Sequence, residues 1–155
     1  GVDFVSRLVG DNPIYNNSKF KFGIDKKQRS YFDNVDKIYM ALHKKADVVS
    51  HEIGHYLEKH NPELLKNSIE FLNRRTANES PVRLKDLFPT YNYGINEIIK
   101  KDKFISEYMG KIYIYNGEQY ATEITSMGLE LMYKDALEFA EKDPDYFDYI
   151  WEQFN

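Results

Sequence analysis

The apolar positions along this chain change period partway through. Lys19-Phe20-Lys21-Phe22 alternates polar and apolar residues, as a half-buried strand does. Arg29 to Asp33 and Lys37 to Leu42 read as two further strands, with Asp33-Asn34 as the turn between them. From Asp47 onward the period lengthens to that of a helix. Asp47 is suited to cap a helix whose apolar stripe takes in Val48, Val49, Ile53, Tyr56 and Leu57. That helix is expected to end near Asn61. Pro62 fits the first turn of the next one, which carries Leu64, Leu65, Ile69 and Leu72 and runs to Arg75.

Residues 76–118 are punctuated by Ser80-Pro81, Pro89 and Gly94, and short helices joined by loops are expected there. Helical periodicity returns from about Thr122 to Tyr133. A last helix starts at Asp143-Pro144, with Phe147, Ile150, Trp151 and Phe154 expected on its buried side. Strands first and helices after indicate an α+β domain, a small N-terminal β-sheet followed by a mostly helical part. At 155 residues the chain suits one domain, residues 1–155. Its first residue is Gly1 rather than Met, which reads as a domain cut from a longer protein with neighbouring domains.

Composition narrows the chemistry. The chain has no cysteine, so a metal would have to be held by His, Asp or Glu, and no disulfide can form. A net charge of -4 argues against a nucleic-acid partner. No apolar run reaches the roughly 18 residues of a membrane span and no signal peptide is visible, so no membrane partner is expected. The compartment stays open, with cytoplasm and virion both compatible.

One segment carries a chemical pattern. Val48-Val49-Ser50-His51-Glu52-Ile53-Gly54-His55 contains His-Glu-x-x-His inside a helical stretch. Residues four apart lie on one helix face, so His51 and His55 can turn both imidazoles toward one ion at the ~2.0–2.1 Å that zinc prefers. Glu52, one position along, can reach a water on that ion and act as general base. A surface helix with two solvated histidines is the plainer alternative, but apolar residues flank the motif on both sides. Gly54 costs about 1 kcal/mol within a helix, which makes sense if another element packs closely there.

A catalytic zinc site needs a third protein ligand. The chain has four histidines. His60 falls off the His51–His55 face, and His43 reads as a strand-end residue or one that supports the site from behind. The three-histidine pattern H-E-x-x-H-x-x-G-x-x-H is absent. A glutamate is the natural choice, and Tyr120-Ala121-Thr122-Glu123-Ile124-Thr125-Ser126-Met127-Gly128-Leu129-Glu130 offers two. Glu123, near the helix start, is the expected ligand. Glu130 is the fallback, or else a surface carboxylate. Ala121, Ser126 and Gly128 are small enough to let this helix approach the histidine helix.

His51-Glu52-Ile53-Gly54-His55 with a later helical Glu resembles the gluzincin arrangement, and most closely the anthrax-lethal-factor and Pro-Pro-endopeptidase group of zinc peptidases. Their third ligand opens a stretch of the type E-F-F-A-E-A-F, onto which Glu123 to Met132 can be laid without a gap. The resemblance covers these two helices only. It implies a zincin-like fold, a peptide or protein substrate, and a tyrosine ahead of the ligand Glu that stabilises the oxyanion. Asn116 stands at the group's usual offset, and Tyr113, Tyr115 and Tyr120 are the candidates, with Tyr113 preferred and Tyr115 next. The run from Ala121 to Glu130, taken with the histidine motif, is also similar to domains of phage minor head and morphogenesis proteins. Phage-repressor-cleaving proteases with a His-Glu-x-Gly-His motif are a third resemblance.

The expected activity is peptide-bond hydrolysis by a zinc-bound water, with Glu52 as base, His51, His55 and Glu123 as ligands and Tyr113 on the oxyanion. The strand at Lys37 to Leu42 is either the sheet edge along which an extended substrate pairs or an ordinary edge protected by Lys37. The rival class is a non-catalytic, zinc-stabilised domain of a larger phage or assembly protein, for which Glu52 would have no use. A hydrolase of a non-peptide acyl group is a second rival.

Overall fold

The computed structural model describes residues 1–10, 21–25, 30–41 and 45–155. Lys19, Phe20, Arg29, Leu42 and His43 lie outside them. Helix α1 (Val2–Val9) precedes the strands, a helix that the order of strands first and helices after did not include. Its Val5 and Val9, one turn apart, are buried in the core, and Phe4 and Leu8 pack beside them. That four-residue spacing is a helix signature.

Strands β1 (Lys21–Asp25), β2 (Tyr31–Phe32) and β3 (Lys37–Ala41) form a mixed sheet in the order β1-β3-β2. β1 runs parallel to β3, and β2 runs antiparallel to it. The β2–β3 turn falls where Asp33-Asn34 predicts it. Asp33 Oδ1 accepts from the N–H groups of Val35, Asp36 and Lys37 at 3.0, 3.2 and 3.1 Å. Asn34 takes φ 62°, a left-handed value that Asn tolerates. β3 is therefore the central strand, with a partner on each side. It cannot offer the sheet edge expected of Lys37 to Leu42; β2 supplies that edge instead.

Helix α2 (Ala46–His60) carries the histidine motif. It starts two residues earlier than expected, with Lys45 at the cap position and Asp47 in the first turn, where a negative charge suits the helix dipole. Helix α3 (Pro62–Arg75) follows directly, with Asn61 Oδ1 accepting from the Glu63 and Leu64 N–H groups at 3.1 Å each.

Residues 76–118 differ most from expectation. They hold one short helix, α4 (Leu84–Leu87), and a 3-10 turn at Glu107–Gly110. Strands β4 (Val82–Arg83), β5 (Ile98–Ile99) and β6 (Lys111–Tyr115) pair antiparallel with one another, and β7 (Glu118–Ala121) completes the sheet in the order β4-β5-β6-β7. The β6–β7 turn is Asn116-Gly117, with φ 50° and 84°. Two consecutive positive φ values are what a tight two-residue hairpin demands, and Asn-Gly is the sequence that supplies them.

Helix α5 (Ile124–Lys142) extends well past Tyr133, broken at Asp135, whose Oδ1 accepts from the Glu138 N–H at 2.9 Å and restarts the helix. Helix α6 (Pro144–Phe154) buries Tyr146, Ile150 and Phe154 at four-residue spacing. Trp151 lies one position off that stripe. It is 50% exposed and stacks on Phe147, a correction to its expected burial. Among the described residues, no helix is long and apolar enough to cross a membrane.

Gly54 explains how closely α2 and α5 approach. A Cβ there would lie 2.4 Å from Ser126 Cα, inside contact distance. Of the small residues expected at this seam, Ser126 is the one that meets Gly54. Gly128 instead faces Ile150 of α6. Gly54→Ala is expected to destabilise the protein by about 1–3 kcal/mol through overpacking, measured by urea unfolding. Gly94→Ala, where a Cβ would meet only the Glu97 side chain at 3.6 Å, is expected to change stability by under about 1 kcal/mol. Equal effects at the two sites would contradict the close packing of α2 on α5.

Candidate metal centre

One turn of α2 separates His51 from His55, and their rings sit edge to face with centroids 4.9 Å apart. The start of α5 supplies the third group. Glu123 occupies the N-cap position, yet its side chain caps nothing in its own helix and turns toward α2 instead. Its Oε2 lies 3.4 Å from His51 Nε2 and 3.3 Å from His55 Nε2. The three residues form the one potential metal-ligand group of three or more among the described residues.

These distances are long for an optimal hydrogen bond and match the spacing of two ligands on one ion. A charge-assisted N–H···O hydrogen bond closes to about 2.7–2.9 Å. Two ligands about 2.0–2.1 Å from a tetrahedral zinc are about 3.3–3.4 Å apart. Each imidazole nitrogen stands at that second spacing from the carboxylate oxygen, the three ligand atoms lie within 4.8 Å of one another, and the donor set, two imidazoles and a carboxylate, suits zinc.

Two of the three groups are oriented from behind. Glu130 Oε2 lies 2.9 Å from His51 Nδ1. An ionised carboxylate can only accept, so Nδ1 carries a proton and Nε2 is the nitrogen turned to the cluster. Glu130 is in turn held by Lys134, which also pairs with Asp47 at 3.4 Å. Glu130 therefore stands outside the three-residue cluster and holds His51. Ser126 Oγ donates to Glu123 Oε2 at 2.9 Å, and the Tyr113 hydroxyl donates to Glu123 Oε1.

Burial shapes the charges. Glu123 is 1% exposed. Burial alone would push its carboxyl up, but His55, His51 and the Tyr113 hydroxyl hold it well below the usual carboxylate range. Burial likewise opposes charge on His55, yet Glu123, Glu58 and Glu52 raise it to about 9. Without a metal, His55 is an imidazolium paired with Glu123. Burial pushes the Tyr113 phenol far up, with the Glu123 charge adding to it, so its hydroxyl keeps its proton.

A cavity of about 180 Å³ opens onto the cluster, lined by His51, Glu52, His55, Tyr113 and Glu123. Glu52 is itself buried, and faces this cavity from the histidine helix. Ser30, Tyr31 and Phe32, with Tyr120 and Ala121 of β7, also line it. Tyr115, the second choice for the oxyanion, is 72% exposed and does not line it. His60 is directed elsewhere, its Nε2 meeting the Val35 carbonyl at 2.5 Å. The orienting part of Glu130, the wall from β2 and the buried Glu58 went unread in the sequence. Glu58 had a signal, an acid three residues after His55 on an apolar face. The β2 wall had none, because it depends on how the strands are ordered.

No family model, curated protein or solved structure matches this chain.

A pH dependence follows for the metal-free protein. A histidine raised from 6.5 to about 9 contributes stability that is fully present below pH 6.5 and lost as pH rises through 9. In the presence of chelator, the stability difference between the wild type and His55→Gln is expected to shrink from pH 6 to pH 9.5, followed by thermal unfolding. A difference that grows over this window would contradict the His55–Glu123 pairing.

Proposed function

We propose that the chain is a zinc-dependent peptidase, with His51, His55 and Glu123 as ligands and Glu52 as general base. The observation that carries this reading is the spacing of the three ligand atoms beside a buried carboxylate in an open cleft. When bound, zinc supplies Lewis-acid chemistry, polarising a scissile carbonyl and lowering the pKa of a water. Glu52 takes the proton of the attacking water on its carboxylate and passes it to the leaving amine. Tyr113 donates its hydroxyl to the developing oxyanion, exchanging Glu123 Oε1 for it, since one proton serves one acceptor at a time.

The walls of the cleft favour a peptide over other acyl substrates. β2 is the last strand of one sheet and β7 the last strand of the other, and residues of both line the cavity. An extended peptide between them can pair its backbone with a strand edge. A zinc site kept only to join α2 to α5 is the second reading, supported by its position across the seam of those helices. A buried Glu52 facing the cleft counts against it, because a purely structural ion has no need of a base.

Cleavage of a diverse peptide library by the zinc-loaded protein tests the proposal. Glu52→Gln is expected to keep zinc while losing about 10²–10⁴-fold in rate. Tyr113→Phe is expected to lower kcat with zinc content unchanged. Zinc binding without any Glu52-dependent cut would favour the structural role.

A further inference from the structure

Glu58 is 2% exposed and takes no part in the proposed reaction. It lies on α2 three residues after His55, hence one turn along the same face. Its carboxylate reaches α5 rather than solvent. Oε2 accepts from the Thr122 N–H at 3.0 Å, while Oε1 accepts from the Thr122 hydroxyl at 2.5 Å and the Thr125 N–H at 3.3 Å. Two of these donors are backbone groups, immediately before Glu123 and two residues after it.

A helix start leaves N–H groups that need acceptors, and the N-cap side chain normally supplies one. Here Glu123 holds the N-cap position but spends its carboxylate on the histidines. The vacated work falls to its neighbours. Thr122 Oγ1 accepts from the Ile124 N–H at 3.0 Å, and Glu58 accepts from Thr125. Thr122 is itself buried and donates its hydroxyl to Glu58, which ties the two acceptors into one unit.

We infer that Glu58 is a positioning residue that caps α5 from the neighbouring helix and so frees Glu123 to serve as the third ligand. This rests on the zinc reading above. One rigid helix then carries two ligands and also the clamp for the third, in the spacing His51-x-x-x-His55-x-x-Glu58. Loss of the clamp leaves Glu123 the more local option of turning back to cap its own helix, at the expense of the cluster. Isolated hydrogen-bond loss would affect stability; this arrangement affects the geometry of metal binding as well.

Zinc dissociation constants for the wild type, Glu58→Gln and Thr122→Val test this, measured by competition with a chromophoric chelator at a temperature where circular dichroism shows each protein folded. Cobalt(II) absorption of the same proteins reports the ligand set. Gln offers one oxygen in place of two and sets an amide N–H against a backbone N–H; Val removes the hydroxyl without changing the shape. Both variants are expected to bind zinc about 10–100-fold more weakly and to show an altered cobalt spectrum. Should Glu58→Gln not fold, Thr122→Val carries the comparison. Lowered thermal stability with wild-type zinc affinity and an unchanged cobalt spectrum would overturn the positioning role and leave the zinc site standing. A wild-type protein that binds no zinc would overturn both.

Discussion

Everything at the centre of this structure answers to one buried carboxylate. Glu123 is ionised and almost wholly out of water, a state that is costly without compensating charge and hydrogen bonds. Its compensation comes from three directions: two imidazoles on α2, the Ser126 hydroxyl on its own helix and the Tyr113 hydroxyl on β6. Meeting that demand requires α2 and α5 to approach until Gly54 touches Ser126 backbone to backbone. It also requires β6 to deliver Tyr113, and the register shift between Tyr113 and Ile114 lies at that delivery point. A bulge there re-aims side chains along the strand.

The centre thus links parts of the chain far apart in sequence. α2 brings the histidines and Glu52, the start of α5 brings Glu123, and the hairpin of β6 and β7 brings Tyr113 and one cleft wall. The first sheet contributes to the lining through β2. Two layers of support lie behind the cluster, Glu130 on the His51 side and Glu58 with Thr122 on the Glu123 side. Polar groups this deeply buried specify one arrangement when all are satisfied, and no buried side-chain polar atom among the described residues lacks a partner.

What the sequence made legible was local. The helices at Pro62–Arg75 and Pro144–Phe154 carry their stop and start signals beside their apolar stripes, and the Asp33-Asn34 turn is set by one side chain accepting three N–H groups. The pairing of His51 and His55 follows from the helical repeat, and the choice of Glu123 over Glu130 from its place near a helix start. What stayed hidden was relational. Two of the four strands in the sheet through residues 82–121 are only two residues long, too short to show a period, and the hairpin signal in Asn116-Gly117 went unread. The central place of β3 depends on strand order, and the exposure of Trp151 on a shift of one position around α6. The place of Glu58 on the apolar face of its helix marked it as unusual, but its role stayed hidden because its partners lie more than sixty positions away.

X-ray absorption at the zinc edge, on protein loaded with one equivalent of zinc, tests the proposed centre most directly. Two imidazoles and oxygen ligands in a four-coordinate shell at about 2.0–2.1 Å are expected, with the imidazole signal reduced in His51→Ala and in His55→Ala. A shell of oxygens alone, or an imidazole signal that both substitutions leave intact, would contradict a centre built from His51, His55 and Glu123.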